Sequence, residues 1–310
     1  MLRQLRIAAQ VHVVLLLLGA AAPLAEGYLP VIMMHGVGST GSEMLMLKHL
    51  AESLHPGTLA TTLRLYEHND NHDSLQPLNV QVKGVIKGVR GLVAANPTLY
   101  ANGWHMVCKS QGALICRCVL EEMNDHRVQT FISLAGPQMG VYGDTFFKSK
   151  FFPHAIQKLT KDEVYWLAYR HVIQEHLSVA NIWRDPKHAK EFVQHNQFLP
   201  VYNGLRTSAP TLARYKRNFL RLNRTIFCVG SGSEYDGGIE PWQSAVWSYP
   251  DASGTFVPME QTQEYSQDLF GLKTLDETGR LEIKVVPGAS HHDWTASTNT
   301  IKEHVLPHLT

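Results

Sequence analysis

Several things are scarce in this chain. Four cysteines in 310 residues, Cys108, Cys116, Cys118 and Cys228, are too few for a disulfide scaffold. Cys108 and Cys228 end apolar runs, while Cys116 and Cys118 stand two apart on a predicted helix and so face different ways. Mostly buried thiols are expected. Charge is also modest, at 18% of residues with a net of +1, and no Lys/Arg block stands out, which excludes the electrostatics of a nucleic-acid binder. Phosphate cradles of the G-x-G-x-x-G or lysine-bearing P-loop kind are missing, as are the HExxH and EF-hand spacings of metal sites. No metal and no cofactor are expected. The polar run Glu67 to Asp73 is rich in ligand-type side chains but reads as a solvated loop.

No apolar run reaches the length of about 20 residues needed to cross a bilayer. The longest candidate, Val11 to Leu18, follows Arg3 and Arg6 and precedes Gly19 and Ala20 to Ala22. A basic start, a short apolar stretch and small residues make a secretory signal peptide, assigned to residues 1–27, with no stable membrane insertion afterwards. An uncleaved anchor is the alternative. The 17 histidines, mostly scattered, suit a surface that charges in an acidic compartment, so a secretory route to the lysosome or the outside is expected. Asn223-Arg224-Thr225 is a sequon for an N-glycan, whereas Asn96-Pro97-Thr98 is blocked by its proline.

What is present is a rhythm of short apolar strands and amphipathic helices. Strands are predicted at 28–34, 57–66, 106–108, 128–134, 225–230 and 281–286. Helices are predicted at 42–55 (Ser42 as N-cap), 80–95, from 112 to about 120, and 298–309. Such alternation implies an α/β chain with a mostly parallel, doubly wound sheet. From about 146 to 222 the rhythm breaks into an aromatic-rich, helical insertion, suited to a lid over a lipophilic pocket.

The organising stretch is Trp104 to Cys116. Ser110 falls at a sharp turn between a buried strand and a helix, the geometry of a nucleophile elbow. The usual G-x-S-x-G is altered, because Cys108 stands at the first glycine, while Gly112 keeps the second. A strand-capping serine would read the same way in isolation. Two later strands, however, end near Asp236 and His291, giving the order Ser, Asp, His. A serine hydroxyl needs an imidazole to take its proton, and the imidazole needs a carboxylate to hold its tautomer. Glu234 and His292 are the alternatives for acid and base. Upstream, His35-Gly36-Val37-Gly38 follows the first strand as an oxyanion loop would, so the N–H groups of Val37 and Gln111 are the expected oxyanion donors. After the fourth strand, the loop Ala135 to Asp144 lies at the same edge.

Taken together, these stretches resemble the palmitoyl-protein thioesterases, in particular the second, lysosomal type. The resemblance is carried by His35-Gly36-Val37-Gly38, Ser110-Gln111-Gly112, Phe131-Ile132-Ser133-Leu134, Pro137-Gln138-Met139-Gly140, Tyr142-Gly143-Asp144, Pro241-Trp242-Gln243-Ser244, Phe270 to Leu275 and Ser290-His291 with Trp294. It spans nearly the whole mature chain and implies an α/β-hydrolase fold with a helical lid. By position, it also implies Ser110 as nucleophile, Asp236 as acid and His291 as base. His35, Gly36, Gln138 and Met139 would then border the substrate, a long-chain fatty acyl thioester of a protein, a peptide or coenzyme A. A lipase or carboxylesterase on oxygen esters and a silent lipid binder are the rival readings. Two departures are Ala113, which suits a helix, and Lys109, whose charge beside the nucleophile is expected to bear on head-group preference.

Overall fold

Each predicted strand is present. The computed structural model describes residues 27–67, 73–143, 158–232 and 236–310. Residues 1–26 of the segment read as a signal peptide, His68 to His72 of the polar run, Asp144, the aromatic residues Phe146, Phe147, Phe151 and Phe152, and the alternative acid Glu234 lie outside them.

Six parallel strands form one sheet: β1 (Val31–Met34), β2 (Ala60–Thr62), β3 (Trp104–Lys109), β4 (Val128–Leu134), β5 (Arg224–Ser231) and β8 (Leu281–Pro287), in the order β2-β1-β3-β4-β5-β8. A separate hairpin pairs β6 (Tyr249–Pro250) with β7 (Phe256–Val257). The inner strands are buried almost throughout because both of their faces are covered. β2 keeps only three of the ten residues expected of it. It is an edge strand, and Tyr66 soon turns the chain at φ 57°. The other edge, β8, carries Glu282 and Lys284 3.2 Å apart, with Arg224 of β5 also on Glu282, while Ile283 and Val285 are exposed.

Helix α1 (Leu45–Leu54) is preceded by a 3-10 turn, Gly41–Met44, capped by Thr40 and not by Ser42, whose N–H the Thr40 hydroxyl accepts. Helices α2 (Leu78–Ala95) and α3 (Gln111–Glu122) pack together. Between β4 and β5 run α4 (Lys161–Ala168), α5 (His171–Gln174), α6 (Ser178–Ile182), α7 (Ala189–His195), α8 (Leu199–Tyr202) and α9 (Ala209–Phe219). The last of these lies on α3. Trp183, Phe192, Phe198 and Phe219 from this segment join the same apolar cluster as the sheet, so the inserted helices share its core. After α10 (Gln263–Ser266) and α11 (Leu272–Glu277), α12 (Asp293–Ala296) and α13 (Thr298–His304) close the chain and pack on α1. The expected final helix ends early, and Pro307 sits in a terminal 3-10 turn.

The sheet grows one way from β1 to β2 and the other way from β1 to β3. Loops leaving β1 and β3 therefore diverge and leave a crevice at their carboxyl ends, where α/β sheets bind ligands. His35 follows β1 and Ser110 follows β3.

Candidate active site

Ser110 has φ 54° and ψ −132°, a conformation that a non-glycine residue adopts only when its surroundings impose it. Its N–H donates to the Leu134 carbonyl at 2.8 Å, and its own carbonyl accepts from Ala113 N–H at 2.9 Å, fixing the turn on both sides. Gly112 permits that turn: a Cβ there would lie 2.1 Å from the His35 carbonyl oxygen. Gly36 is similarly confined, since its Cβ would meet Ser110 Cβ at 3.0 Å. The β1 loop thus lies directly against the serine.

The other half-motif position corrects an expectation. Cys108 is joined to Cys116 in a disulfide, so where mostly buried thiols are expected only Cys118 and Cys228 are thiols. Side chains alternate along a strand, which turns Cys108 toward α3. Cys116 sits one turn beyond Gly112 on the face of α3 that meets the strand. Cys118, two residues on, faces elsewhere as expected. Burial pushes the Cys228 thiol up to about 12 and raises that of Cys118 as well.

Asp236 follows β5 and His291 follows β8. His291 Nδ1 is 2.8 Å from Asp236 Oδ2, and the His291 N–H donates to the Asp236 carbonyl at 2.6 Å. Asp236 Oδ1 accepts the N–H groups of Ile239 at 2.7 Å and Gly238 at 3.0 Å. Burial by itself would raise this carboxyl, but the His291 bond and charge and the two backbone donors hold it below its ordinary value. Gly238 lies against the imidazole, where a Cβ would come 2.5 Å from His291 Cγ. His292 is exposed and stands edge-on to His291 without reaching Asp236. Of the two neighbouring histidines, His291 is the one paired with the acid. Ser110 Oγ, partly exposed, has no hydrogen-bond partner among the described residues, so the Asp–His pair is formed and the His–Ser bond is not.

Two donors beside Ser110 are also unused. Among the described residues nothing accepts the N–H of Val37 or of Gln111, whereas their neighbours are engaged: Gly36 N–H on Glu43 at 3.0 Å and Gly38 N–H on Ser74 Oγ at 2.8 Å. Free N–H groups at a helix start next to a serine are the arrangement that stabilises an oxyanion.

The residues expected to border the substrate divide. Gly36 does lie at the serine. His35 is buried, its two ring nitrogens on the carbonyls of Gly36 (2.8 Å) and Leu65 (3.0 Å), so it braces the loop. Gln138 is a clear correction. It is fully buried, its amide spent on Arg117 Nε (2.8 Å) and Ser133 Oγ (3.0 Å), and no face of it is left for a ligand. Arg117 in turn ion-pairs with Glu121, donates to Asn203 at 2.7 Å and lies over the rings of Trp247 and Phe270. Met139 is buried but lines a cavity of about 380 Å³ with Arg184, Phe192 and Tyr249. A larger groove of about 680 Å³ opens between the inserted helices and the loop after β5, lined by Tyr142, Pro186, Trp242 and Phe256 with Lys161 and Lys187. Lys109, whose charge is expected to bear on head-group preference, is 1% exposed and paired with Glu43.

Ser74 was not singled out by sequence. Its carbonyl accepts Gln111 Nε2 (2.7 Å), Gln81 Nε2 (2.9 Å) and Ser178 Oγ (3.1 Å), and its hydroxyl holds Gly38. One residue of an unremarkable polar loop therefore ties the elbow, the β1 loop, α2 and α6 together. No spacing rule could have flagged it.

Residues 30–292 match the family described as palmitoyl protein thioesterase. The chain is 37% identical over 295 residues to the lysosomal thioesterase PPT2 of Homo sapiens, covering 95% of this chain and 92% of that one. It is 30% identical to the lysosomal thioesterase PPT2 homolog of Drosophila melanogaster over 98% of this chain and all of that one. Identity to the palmitoyl-protein thioesterase 1 of Caenorhabditis elegans is 26%, over 85% and 87% of the two chains.

Proposed function

Since the chain belongs to the palmitoyl protein thioesterase family, we propose that it hydrolyses long-chain fatty acyl thioesters through Ser110, His291 and Asp236. His291 Nε2 takes the Ser110 proton as Oγ bonds to the thioester carbonyl carbon. Asp236 holds Nδ1–H and stabilises the imidazolium. The N–H groups of Val37 and Gln111 receive the oxyanion. Collapse of that intermediate breaks the C–S bond, and His291 returns its proton to the departing sulfur. Water, deprotonated by the same imidazole, then attacks the acyl-serine and releases the fatty acid.

The observation that carries this reading is the 2.8 Å Asp236–His291 pair at the same sheet edge as a strained Ser110 flanked by two free N–H groups. The acyl chain would lie along the aromatic groove beneath the inserted helices, which then act as a lid. A thiol from either a protein cysteine or a coenzyme A-like carrier fits this chemistry. The signal peptide, the relatives' lysosomal names and the exposed Asn223 sequon support passage through the secretory route to the lysosome, with a glycan at Asn223.

The test compares palmitoyl-peptide and palmitoyl-coenzyme A thioesters with an oxygen-ester analogue, in wild type and Ser110→Ala. Thioester turnover should fall at least about 10⁴-fold in the variant. Better turnover of the oxygen ester would make the protein an esterase, and binding without turnover in both would make it a lipid binder.

A further inference from the structure

Lys109 and Glu43 have no part in that chemistry, yet they sit directly behind it. Lys109 precedes Ser110, and strand alternation turns its side chain away from α3 and the disulfide. A buried ammonium is costly unless paired. Here Nζ donates to Glu43 Oε1 at 2.5 Å and to Thr295 Oγ1 at 3.3 Å. The second carboxylate oxygen of Glu43 accepts the Gly36 N–H at 3.0 Å. The chain Thr295–Lys109–Glu43–Gly36 thus links α12, which begins two residues past His291, the elbow, and the loop carrying Val37.

We infer that the Lys109–Glu43 pair is a positioning clamp that sets the Val37 N–H against Ser110, an inference that rests on reading Ser110 as nucleophile and Val37 as oxyanion donor. Glycine suits position 36, because a Cβ there would crowd Ser110 Cβ at 3.0 Å and force one of the two to shift. That same lack of a Cβ leaves its backbone soft, and rotation at Gly36 would swing the next N–H, that of Val37, out of line. The Glu43 carboxylate limits this freedom by gripping the Gly36 N–H on one side of the turn, while Ser74 Oγ holds the Gly38 N–H at 2.8 Å on the other. A carboxylate alone behind an oxyanion hole would oppose the charge that develops there, and Lys109 neutralises it. Lys109 and Glu43 are therefore positioning residues that act through the backbone of the loop.

Lys109→Met, Glu43→Gln, the double variant and Lys109→Arg, each in the full chain, test this. For Lys109→Met, kcat on the thioester should fall about 100-fold with KM within about threefold, the size of losing one oxyanion donor. The double variant should recover about tenfold over Lys109→Met, because the unpaired carboxylate is gone, and Lys109→Arg should restore part of kcat. Hydrogen exchange of the amides at 35–38, read without substrate, should quicken about tenfold in Lys109→Met and Glu43→Gln. If Lys109→Met does not fold, Glu43→Gln carries both readouts. Unchanged exchange at 35–38, or a lowered melting temperature with kcat intact, would overturn the clamp. A wild type inert on every ester would sink the proposed function, while the exchange data would still decide whether the pair holds the loop.

Discussion

The two faces of strand β3 are fastened by different chemistry. Consecutive residues leave it in opposite directions: Cys108 into a covalent bond with α3, Lys109 into an ion pair under the β1 loop. The bond that fastens the α3 side is covalent and does not titrate. The other side carries Lys109 and His105, which lies fully buried with neither ring nitrogen partnered among the described residues. Burial first, and then the charge of nearby His55, bring His105 down to about 4. A single elbow is thus braced on one side by a bond that answers to redox state and on the other by groups that answer to protons.

The strongest way to break this symmetry is Glu43→Ala, which leaves the Lys109 ammonium buried and unpaired. A loss of about 4 kcal/mol is expected from urea unfolding at pH 7, since stranding a buried charge costs more than the pair itself contributes.

Acid should come next. His105 is neutral in the fold, and below the ordinary histidine value of about 6.5 the unfolded chain binds a proton that the folded one does not. Stability should therefore fall as pH drops from about 6.5 toward 4, by up to about 3 kcal/mol from this residue. Unfolding midpoints taken across that range should lose one proton's worth of slope in His105→Phe. A slope unchanged in the variant would assign the acid response to other groups.

Reduction acts on the opposite face. The disulfide closes a short loop, with eight positions separating its cysteines, so its loss in a Cys108→Ala/Cys116→Ala variant should cost about 2.5 kcal/mol. The part of the pH slope due to His105 should stay as it was, because that histidine lies on the other face of the strand. A change in slope would show that the two braces are coupled. The smallest effect is expected from iodoacetamide: Cys118 and Cys228, buried and with raised thiol values, should remain unlabelled in the native protein by mass spectrometry.

These contrasts mark what a linear reading can reach. The six strands, and Ser110, Asp236 and His291 at their carboxyl ends, were legible because each is announced locally, by an apolar run and the loop after it. His291 is the base preferred from sequence, and coordinates add its 2.8 Å contact with Asp236, as they add every contact that joins remote segments. Lys109 looked like a charge that bears on head-group preference because nothing nearby in sequence says that Glu43, 66 residues earlier, will meet it. Gln138 looked like a site residue because its motif is distinctive, and the distinctiveness comes from its bonds to Arg117 and Ser133. The disulfide was missed for a similar reason: few cysteines argue against a scaffold, but one strand-to-helix pair needs only two.

The free edge of the sheet has a consequence for crowding. An unpaired strand as long as β8 invites a second copy to add on, and Glu282 and Lys284 stand against that. Burial by itself would raise Glu282, but its bond to Lys284, the charges of His308 and Lys284 and the bond to Arg224 hold its carboxyl below the ordinary glutamate value, so the edge keeps charges of both signs into mild acid. A second copy adding at this edge would have to strip those paired charges of water at neutral and mildly acidic pH alike, which disfavours strand-to-strand aggregation in both.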